Sequence, residues 1–323
     1  MGKSSRNLQE GKSRVNEKIL VTGGSGLLGR AVSKLLTEAV CLNRQDGDLR
    51  DPAQVKALFE KHRPDRVLHL AAKVGGVKAN SERNADFYSE NILINVNVLN
   101  AAKNAGVKRM ISLLSSCAYR TSPERASTEE DLHEGLPYEG NLGYGISKRM
   151  LEIQSRLISK QYGFEYSTLT PVTMFGPHDN FNLETGHVVA SLIHRCFDAK
   201  RTGGALKVWG SGLAVRQFVY VKDVARLLCD WIQQGSYHES VIMTPDEGIT
   251  IRDLAFRIAE AIDFNGAIHF DTSCPEGQKI RRLTSSRFRK LFPVYQFTAF
   301  KIALQETVSW YAGYALGKES CDV

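Results

Sequence analysis

The sequence predicts an α/β protein: a doubly wound parallel sheet with a second, smaller domain. Three observations predict it. A β-rich apolar run at 18–22 leads directly into a glycine-rich turn and then a helical pattern at 27–36. Short apolar strands alternate with longer amphipathic stretches through the first half of the chain, which is the pattern of a parallel sheet with right-handed crossovers. At 323 residues the chain also suits two domains sharing a cleft.

The glycines of the first turn are Gly23, Gly24, Gly26 and Gly29, with Ser25, Leu27 and Leu28 between them. They satisfy both G-x-x-G-x-x-G and G-x-G-x-x-G. Glycines so placed let backbone approach a pyrophosphate, and the start of the following helix favours its negative charge. The stretch 23–29 is therefore expected to hold a dinucleotide. A second strand is expected at 40–43, followed by Arg44, Asp46, Asp48 and Leu49. An acidic residue about 20 positions past the glycines takes the ribose of NAD, whereas an arginine suits the 2′-phosphate of NADP. Arg44 is nearer the strand end than either aspartate, so NADP(H) is the expected cofactor, with Asp48 and Leu49 on the same edge.

Asp51 and Pro52 open the next helix as cap and first residue. A third strand is expected at 65–72. Its end, Ala71 and Ala72, is small, as backbone beside a cofactor must be, and 74–76 continues as a loop. A long helix is expected at about 86–106, with apolar positions Ile92, Val96 and Leu99 and with Gly106 at its end. The strand at 110–116 runs into Ser115, Ser116 and Cys117. Ligands bind at the C-terminal ends of parallel strands, so 23–29, 71–76 and 115–117 should converge with the next helix.

That helix carries Tyr144 and Lys148, one turn apart on one face. A free phenol titrates near ~10, and a neighbouring ammonium favours the phenolate. Lys148 is therefore expected to lower the pKa of Tyr144 and let it exchange a proton with a sugar oxygen or carbonyl. The same spacing also fits an amphipathic helix with a buried ring and a solvated lysine. Further on, the expectations are a strand at 165–170, an irregular loop at 175–187 and a helix at 188–200. Strand and turn follow at 208–212, then a segment 216–220 leading into a helix at 222–234. A helix at 250–262, a strand near 268–270, a basic stretch at 279–290 and a last helix at 300–314 complete the chain.

Composition narrows the function classes. Apolar residues make up 42% and charged residues 24%, ordinary values for a globular enzyme. No apolar run reaches the ~18 residues of a membrane span. Residues 1–17 are polar and basic without the apolar core of a secretory signal, and are expected to form a disordered tail. The six cysteines, Cys41, Cys117, Cys196, Cys229, Cys274 and Cys321, form neither C-x-x-C nor a zinc spacing. Reduced thiols in a cytoplasmic protein, and no metal, are the expectation. The net charge of +7 fits nucleic acid or an anionic small substrate. The basic run of Lys279, Arg281, Arg282, Arg287, Arg289 and Lys290 lacks interleaved aromatics, so a nucleic-acid partner is not expected.

From residue 19 to about 314 the chain resembles the extended short-chain dehydrogenase/reductases, and within them the GDP-L-fucose synthase family. The resemblance is carried by 21–29, by His-Leu-Ala-Ala-Lys-Val-Gly-Gly at 69–76, and by Ser-Ser-Cys at 115–117. It continues in Gly-Tyr-Gly-Ile-Ser-Lys-Arg-Met at 143–150 and in Phe-Gly-Pro-His-Asp-Asn-Phe-Asn at 175–182 with Gly186 and His187. Val-Trp-Gly-Ser-Gly at 208–212 and Arg-Gln-Phe at 216–218 complete it. The 21–29 and 143–150 segments are shared across the superfamily. Ser-Ser-Cys, Gly-Pro-His-Asp-Asn-Phe and Gly-His are specific to the narrower family.

The resemblance implies a Rossmann domain over 18–174 and 213–246 and a substrate domain over 175–212 and 247–314, with tails at 1–17 and 315–323. It implies Ser115, Tyr144 and Lys148 as a reductase triad. It makes Cys117 the base at C3 and C5, and His187 the acid that returns the proton on the opposite face. On residue type alone Cys117 also fits a small buried thiol, and His187 a helix-start histidine. Cofactor contacts are implied at Ala71, Ala72, Lys148, Pro171, Thr173, Met174 and His187, besides the glycine turn. Substrate contacts are implied at Ser115, Ser116, Cys117, Thr173, Arg195, Trp209 and Arg216. Two arginines suit a pyrophosphate, and Trp209 offers a flat face to a guanine. The implied assembly is a homodimer joined through the long helix and the Tyr144 helix.

Two departures stand out. Val172 and Thr173 replace the family's Thr-Asn, and Arg195 replaces a common Lys. The implied reaction is NADPH-dependent epimerisation and 4-reduction of GDP-4-keto-6-deoxy-D-mannose to GDP-L-fucose. A relative reducing, or epimerising at C3 only, another GDP-keto-sugar is the alternative. A non-catalytic NADP sensor would predict a broken triad, and Ser115, Tyr144 and Lys148 are intact.

Overall fold

Residues 17–121, 125–234, 239–274 and 277–317 are described by a computed structural model. The remainder of the two expected tails, 1–16 and 318–323 with Cys321, lies outside the described residues. The first half alternates β1 (Ile19–Thr22), α1 (Leu27–Ser33), β2 (Val40–Leu42), α2 (Pro52–His62) and β3 (Arg66–His69). It continues with α3 (Val77–Glu82), α4 (Asn84–Asn104), β4 (Arg109–Leu113), α5 (Leu142–Tyr162), β5 (Glu165–Pro171) and β6 (Thr173–Phe175). The second half holds α6 (Val188–Thr202), β7 (Leu206–Trp209), β8 (Val215–Tyr220), α7 (Val221–Gln234), β9 (Ser240–Met243) and β10 (Gly248–Thr250). It ends with α8 (Ile251–Ile262), β11 (Ile268–Asp271), α9 (Ser286–Leu291) and α10 (Phe300–Ala315).

Six parallel strands form the main sheet in the order β2-β1-β3-β4-β5-β9. Leu20, Val21, Val67, Leu68, Met110, Ile111, Leu169, Val241 and Ile242 are all buried along it, as strands covered on both faces require. Helix α1 packs on α7, while α4 packs on α2 and α5, so two helical layers flank the sheet. The predicted doubly wound fold is the observed one. Asp51 caps α2 as the sequence requires, accepting from the amides of Ala53 and Gln54.

The differences from expectation are local. Helix α1 ends at Ser33 rather than 36, and Leu36 is buried from a turn instead. The expected loop at 175–187 begins in strand β6, and α3, α9, β9 and β10 were not expected at all. Strand β9 is four residues long, too short to show a period, yet it completes the main sheet beside β5.

Two small sheets carry the rest. One has the order β10-β8-β6, and the other pairs β7 with β11 in parallel. The segment 279–285 runs beside β8 and the loop at Ser127. Ile280 bridges to Val215, and Leu283 bridges to Ser127. The Gln217 amide clamps Leu283 from both sides, donating to its carbonyl at 2.9 Å and accepting from its amide at 2.7 Å.

Candidate active site

The glycine turn forms the floor at the C-terminal end of β1. Gly23 has φ +77°, and a Cβ there would lie 2.8 Å from the Ala71 amide. A Cβ on Gly29 would lie 2.1 Å from the Gly23 carbonyl oxygen. These two contacts bring β1, α1 and the Ala71–Ala72 end of β3 together. Gly26 differs, because its Cβ would meet only the Gly23 carbonyl oxygen, at 3.4 Å. Its open side leaves room for a ligand's phosphates to approach backbone. Leu28 is buried beneath the turn, and Ser25 lies exposed on it.

At the end of β2, Asp48 is not free to accept from a ribose. Arg50 grips both its oxygens, with contacts of 2.9 Å and 2.7 Å, and those hydrogen bonds hold its carboxyl at about 2. Arg44 is exposed and makes no hydrogen bond or ion pair among the described residues. Leu49 is half-buried, its carbonyl accepting from Asn97.

Ser115, Ser116 and Cys117 follow β4 in a short 3-10 turn that the sequence reading did not anticipate. Ser115 opens it, its hydroxyl accepting from the Cys117 amide at 3.2 Å. Gly145, next to Tyr144, is what lets α5 approach this turn. A Cβ there would sit 2.7 Å from the Cys117 carbonyl oxygen. The sequence thus seats the thiol and the phenol on adjoining backbone.

The charge states within this cluster depart from one expectation. Lys148 was expected to lower the pKa of Tyr144. Instead burial raises Tyr144 well above an ordinary phenol; the Cys117 charge adds to that, and a hydrogen bond with Ser115 opposes it. Lys148 is itself buried, which pushes its pKa down to about 7, and its ammonium donates to the Leu113 carbonyl at 2.8 Å. It lies 5.7 Å from the Tyr144 ring centre. Desolvation therefore outweighs the pair's mutual attraction.

Cys117 moves the other way. Burial pushes its thiol up, but the Arg281 charge, a hydrogen bond with Ser115, the His187 charge and Asn141 together bring it below an ordinary thiol. An Arg281 nitrogen donates to Cys117 Sγ at 3.0 Å. His187 immediately precedes α6. Burial pushes its imidazole down, Asp179 and the Cys117 charge push it up, the Arg281 charge opposes them, and the net direction is up. His187 Nδ1 and Asp179 Oδ1 are 3.6 Å apart, so the contact is an ion pair rather than a hydrogen bond. Ser115, Cys117, Tyr144, Lys148 and His187 are thus brought into one cluster.

Pro171 ends β5, Thr173 and Met174 begin β6, and Thr173 accepts from Arg281 at 3.4 Å. Arg195 and Trp209 form a separate pair, the guanidinium 4.3 Å from the ring centre and the indole partly exposed. Arg216 lies on β8, buried, with its guanidinium on the Val215 carbonyl. The basic run disperses. Arg287 pairs with Glu130 and Glu239, Arg289 pairs with Asp246, and Lys279, Arg282 and Lys290 are exposed. A groove of 1010 Å³ at the opposite, N-terminal end of the strands, lined by Arg66, Arg109 and Glu165 among others, contains none of these residues.

Sequence reasoning gave no role to Asp179, no site-specific role to Arg281, and none to His69. Asp179 sits inside the quoted 175–182 segment, and Arg281 was one of six basic residues in a run. His69 is buried behind Lys148, accepting or donating between Thr22 and Asn95 at 2.8 Å and 3.1 Å. Burial first, then the Lys148 charge, hold it neutral with a pKa of about 3.

Residues 19–242 match the NAD dependent epimerase/dehydratase family. A probable GDP-L-fucose synthase of Drosophila melanogaster is 35% identical over 91% of this chain and 97% of its own length. The GDP-L-fucose synthase of Escherichia coli is 30% identical over 91% of this chain and 96% of its own. Among solved structures, a GDP-L-fucose synthetase from Naegleria fowleri bound to NADP superposes with a TM-score of 0.86 at 37% identity. It covers 94% of this chain and 95% of that one. Matches of this length and identity place the sequence beyond a shared scaffold, and the chain belongs to the GDP-L-fucose synthase family, a branch of the NAD dependent epimerase/dehydratases.

Proposed function

We propose that the chain converts GDP-4-keto-6-deoxy-D-mannose to GDP-L-fucose, epimerising C3 and C5 and then reducing C4 with NADPH. The observation that carries this reading is one cluster holding a thiol pushed towards ionisation, an imidazole pushed towards protonation and a phenol kept protonated. The C4 ketone acidifies the C–H bonds at C3 and C5. Cys117 thiolate takes each proton, the C–H electrons moving onto the C4 oxygen. His187 imidazolium delivers a proton to the opposite face, which inverts the carbon. Tyr144 gives its proton to the C4 oxygen as that oxygen gains charge, and Ser115 hydrogen-bonds it.

The residues present fit the cofactor. Gly23, Gly24, Ser25, Gly26, Leu27, Leu28 and Gly29 would hold the pyrophosphate on the open side of Gly26. Arg44 would take the 2′-phosphate, since Arg50 already occupies Asp48. Lys148 and the Ala71–Ala72 and Pro171–Met174 edges would hold the nicotinamide half. NADPH supplies the hydride that C4 receives. The nucleotide of the substrate would meet Trp209, Arg195 and Arg216, the last two as cations for its pyrophosphate.

The division into a Rossmann domain (18–174, 213–246) and a substrate domain (175–212, 247–314) belongs to the same reading. We assign a homodimer through α4 and α5, which pack on each other and leave Tyr88, Leu93, Val96, Met150, Leu157 and Tyr162 exposed. An apolar face of that kind favours an α4–α5 pair from a second copy. Among the described residues no helix is long and apolar enough to cross a membrane. Free thiols at Cys41, Cys196, Cys229 and Cys274 support a reducing, cytoplasmic setting.

The test is incubation with NADPH and GDP-4-keto-6-deoxy-D-mannose in D2O, following absorbance at 340 nm and locating deuterium by NMR. Oxidation of NADPH with deuterium at both C3 and C5 is expected. Label at C3 alone, or none, would move the chain to a reductase of another keto sugar.

A further inference from the structure

We propose that Arg281, seated by Thr173, is the positioning residue that keeps Cys117 as a thiolate. The inference rests on the reading of Cys117 as the base. Arg281 lies in the 279–285 segment, far along the chain from the Ser-Ser-Cys turn. One guanidinium nitrogen donates to Cys117 Sγ at 3.0 Å, and the other reaches the Thr173 hydroxyl at 3.4 Å. The backbone on either side is fixed. Ile280 bridges to Val215, and Leu283, buried, is clamped by Gln217. A long side chain anchored at its base and tip presents its charge at a set place with little rotamer entropy left to lose.

The other groups facing the thiol are Ser115, Asn141, Tyr144 and His187. Ser115 and Asn141 carry no charge. Tyr144 is the phenol that burial keeps protonated. His187 does carry charge when protonated, but it loses that charge each time it gives a proton to the sugar. If the thiolate depended on His187 alone, the base would weaken whenever the acid had acted. A guanidinium stays charged across the working pH range, so Arg281 uncouples the two. Thr173 contributes by accepting from the second guanidinium nitrogen at 3.4 Å while the first donates to the sulfur. It is also one of the two residues by which this chain departs from the family pattern before the Gly-Pro-His segment.

The experiment measures the rate of iodoacetamide alkylation at Cys117 against pH. Cys41 and Cys274 are also partly accessible, so the Cys117 peptide is followed by mass spectrometry. Wild type, R281K, R281M, T173A and H187N are compared, each first shown to be folded by circular dichroism. The wild-type midpoint should lie below the ~8.5 of a free thiol. R281M should raise it by a unit or more, slowing alkylation at pH 7 about tenfold. R281K should restore most of that rate, T173A should give a smaller rise, and H187N should shift the midpoint less than R281M does. An R281M midpoint equal to wild type would overturn the proposal. So would an H187N shift as large as that of R281M.

The same proteins are then assayed for deuterium exchange at C3 and C5. A midpoint that follows Arg281 without any sugar exchange keeps the pairing and removes the reading of Cys117 as the sugar base. Exchange with a midpoint indifferent to Arg281 keeps that reading and removes the pairing.

Discussion

Asp179→Asn isolates the charge that raises the His187 pKa. The substitution keeps the shape of the side chain and removes one negative charge 3.6 Å from the imidazole nitrogen. Two unit charges at that separation attract by about 1 kcal/mol at a dielectric of 80 and by about 4.6 kcal/mol at 20. The His187 side chain is 39% exposed while that of Asp179 is only 2% exposed, so water screens one end of the pair. The lower part of the range applies, roughly 1–2 kcal/mol, which is about one pH unit. Since Asp179 raises the His187 pKa, its loss lowers it. In the D2O assay the acid form of His187 limits exchange on the alkaline side, so D179N should move that limb down by about one unit and leave the acid limb, set by Cys117, in place. Stability follows the same sign. A raised imidazole pKa stabilises the fold fully below the ordinary value near ~6.5, and that contribution is lost as pH rises through the folded value. D179N should therefore show a smaller gain in thermal midpoint between neutral and mildly acidic pH. An alkaline limb unmoved in D179N would refute the assignment of His187 as the acid tuned by Asp179.

Three further substitutions probe the floor, the turn and the assembly. Arg44→Ser should raise the KM for NADPH about 10- to 100-fold and leave that for NADH nearly unchanged, the size of one or two charge-assisted hydrogen bonds, as steady-state kinetics with both cofactors would show. Gly145→Ala places a Cβ 2.7 Å from the Cys117 carbonyl oxygen and 2.8 Å from Pro137. Displacing that turn should cut kcat on the order of 10²-fold while the thermal midpoint falls by the equivalent of about 1–3 kcal/mol. Leu157→Asp puts a charge on the exposed α4–α5 face, where Leu157 is 54% exposed. It should convert a dimer to a monomer in size-exclusion chromatography with light scattering, without a change in far-ultraviolet circular dichroism.

The sheet was legible because its strands are continuous apolar runs bounded by glycine, alanine or hydroxyl residues. The run ending at Thr22 falls where the sequence places it, whereas the strand expected at 110–116 ends at Leu113, because Ser116–Ala118 turn off it in a 3-10 helix capped by Ser115. Strand β9 was not legible. Ser-Val-Ile-Met has no repeat to read, and only pairing with β5 makes it a strand. Tyr144 and Lys148 were legible as a helical pair, but the sign of their pKa shifts was not. Spacing reports proximity, whereas burial depends on what packs around both groups, and burial prevails here. Arg281 could not be separated from its five basic neighbours by sequence, because its partner lies 164 residues away. Only the bridge at Val215 and the clamp at Gln217 turn it inward while Arg282 faces solvent.

The opposed shifts in the cluster fit a two-stage reaction. Stage one needs a base, and stage two needs an acid at nearly the same place. The Cys117 charge is one cause of the raised pKa of Tyr144, so the ionised thiol that begins epimerisation also secures the proton that reduction will use. Arg281 and His187 favour the thiolate without touching the phenol's proton. Pushing neighbouring groups in opposite directions lets one pocket hold a base and an acid together at neutral pH. Lys148, with its pKa brought down to about 7 by burial, is only partly charged at neutral pH and pulls less on the Tyr144 proton than an ordinary lysine would. In the proposed mechanism the lysine positions and the cysteine and tyrosine transfer protons. A strongly cationic Lys148 beside Tyr144 would favour the phenolate, and the site would then lose the acid on which reduction depends.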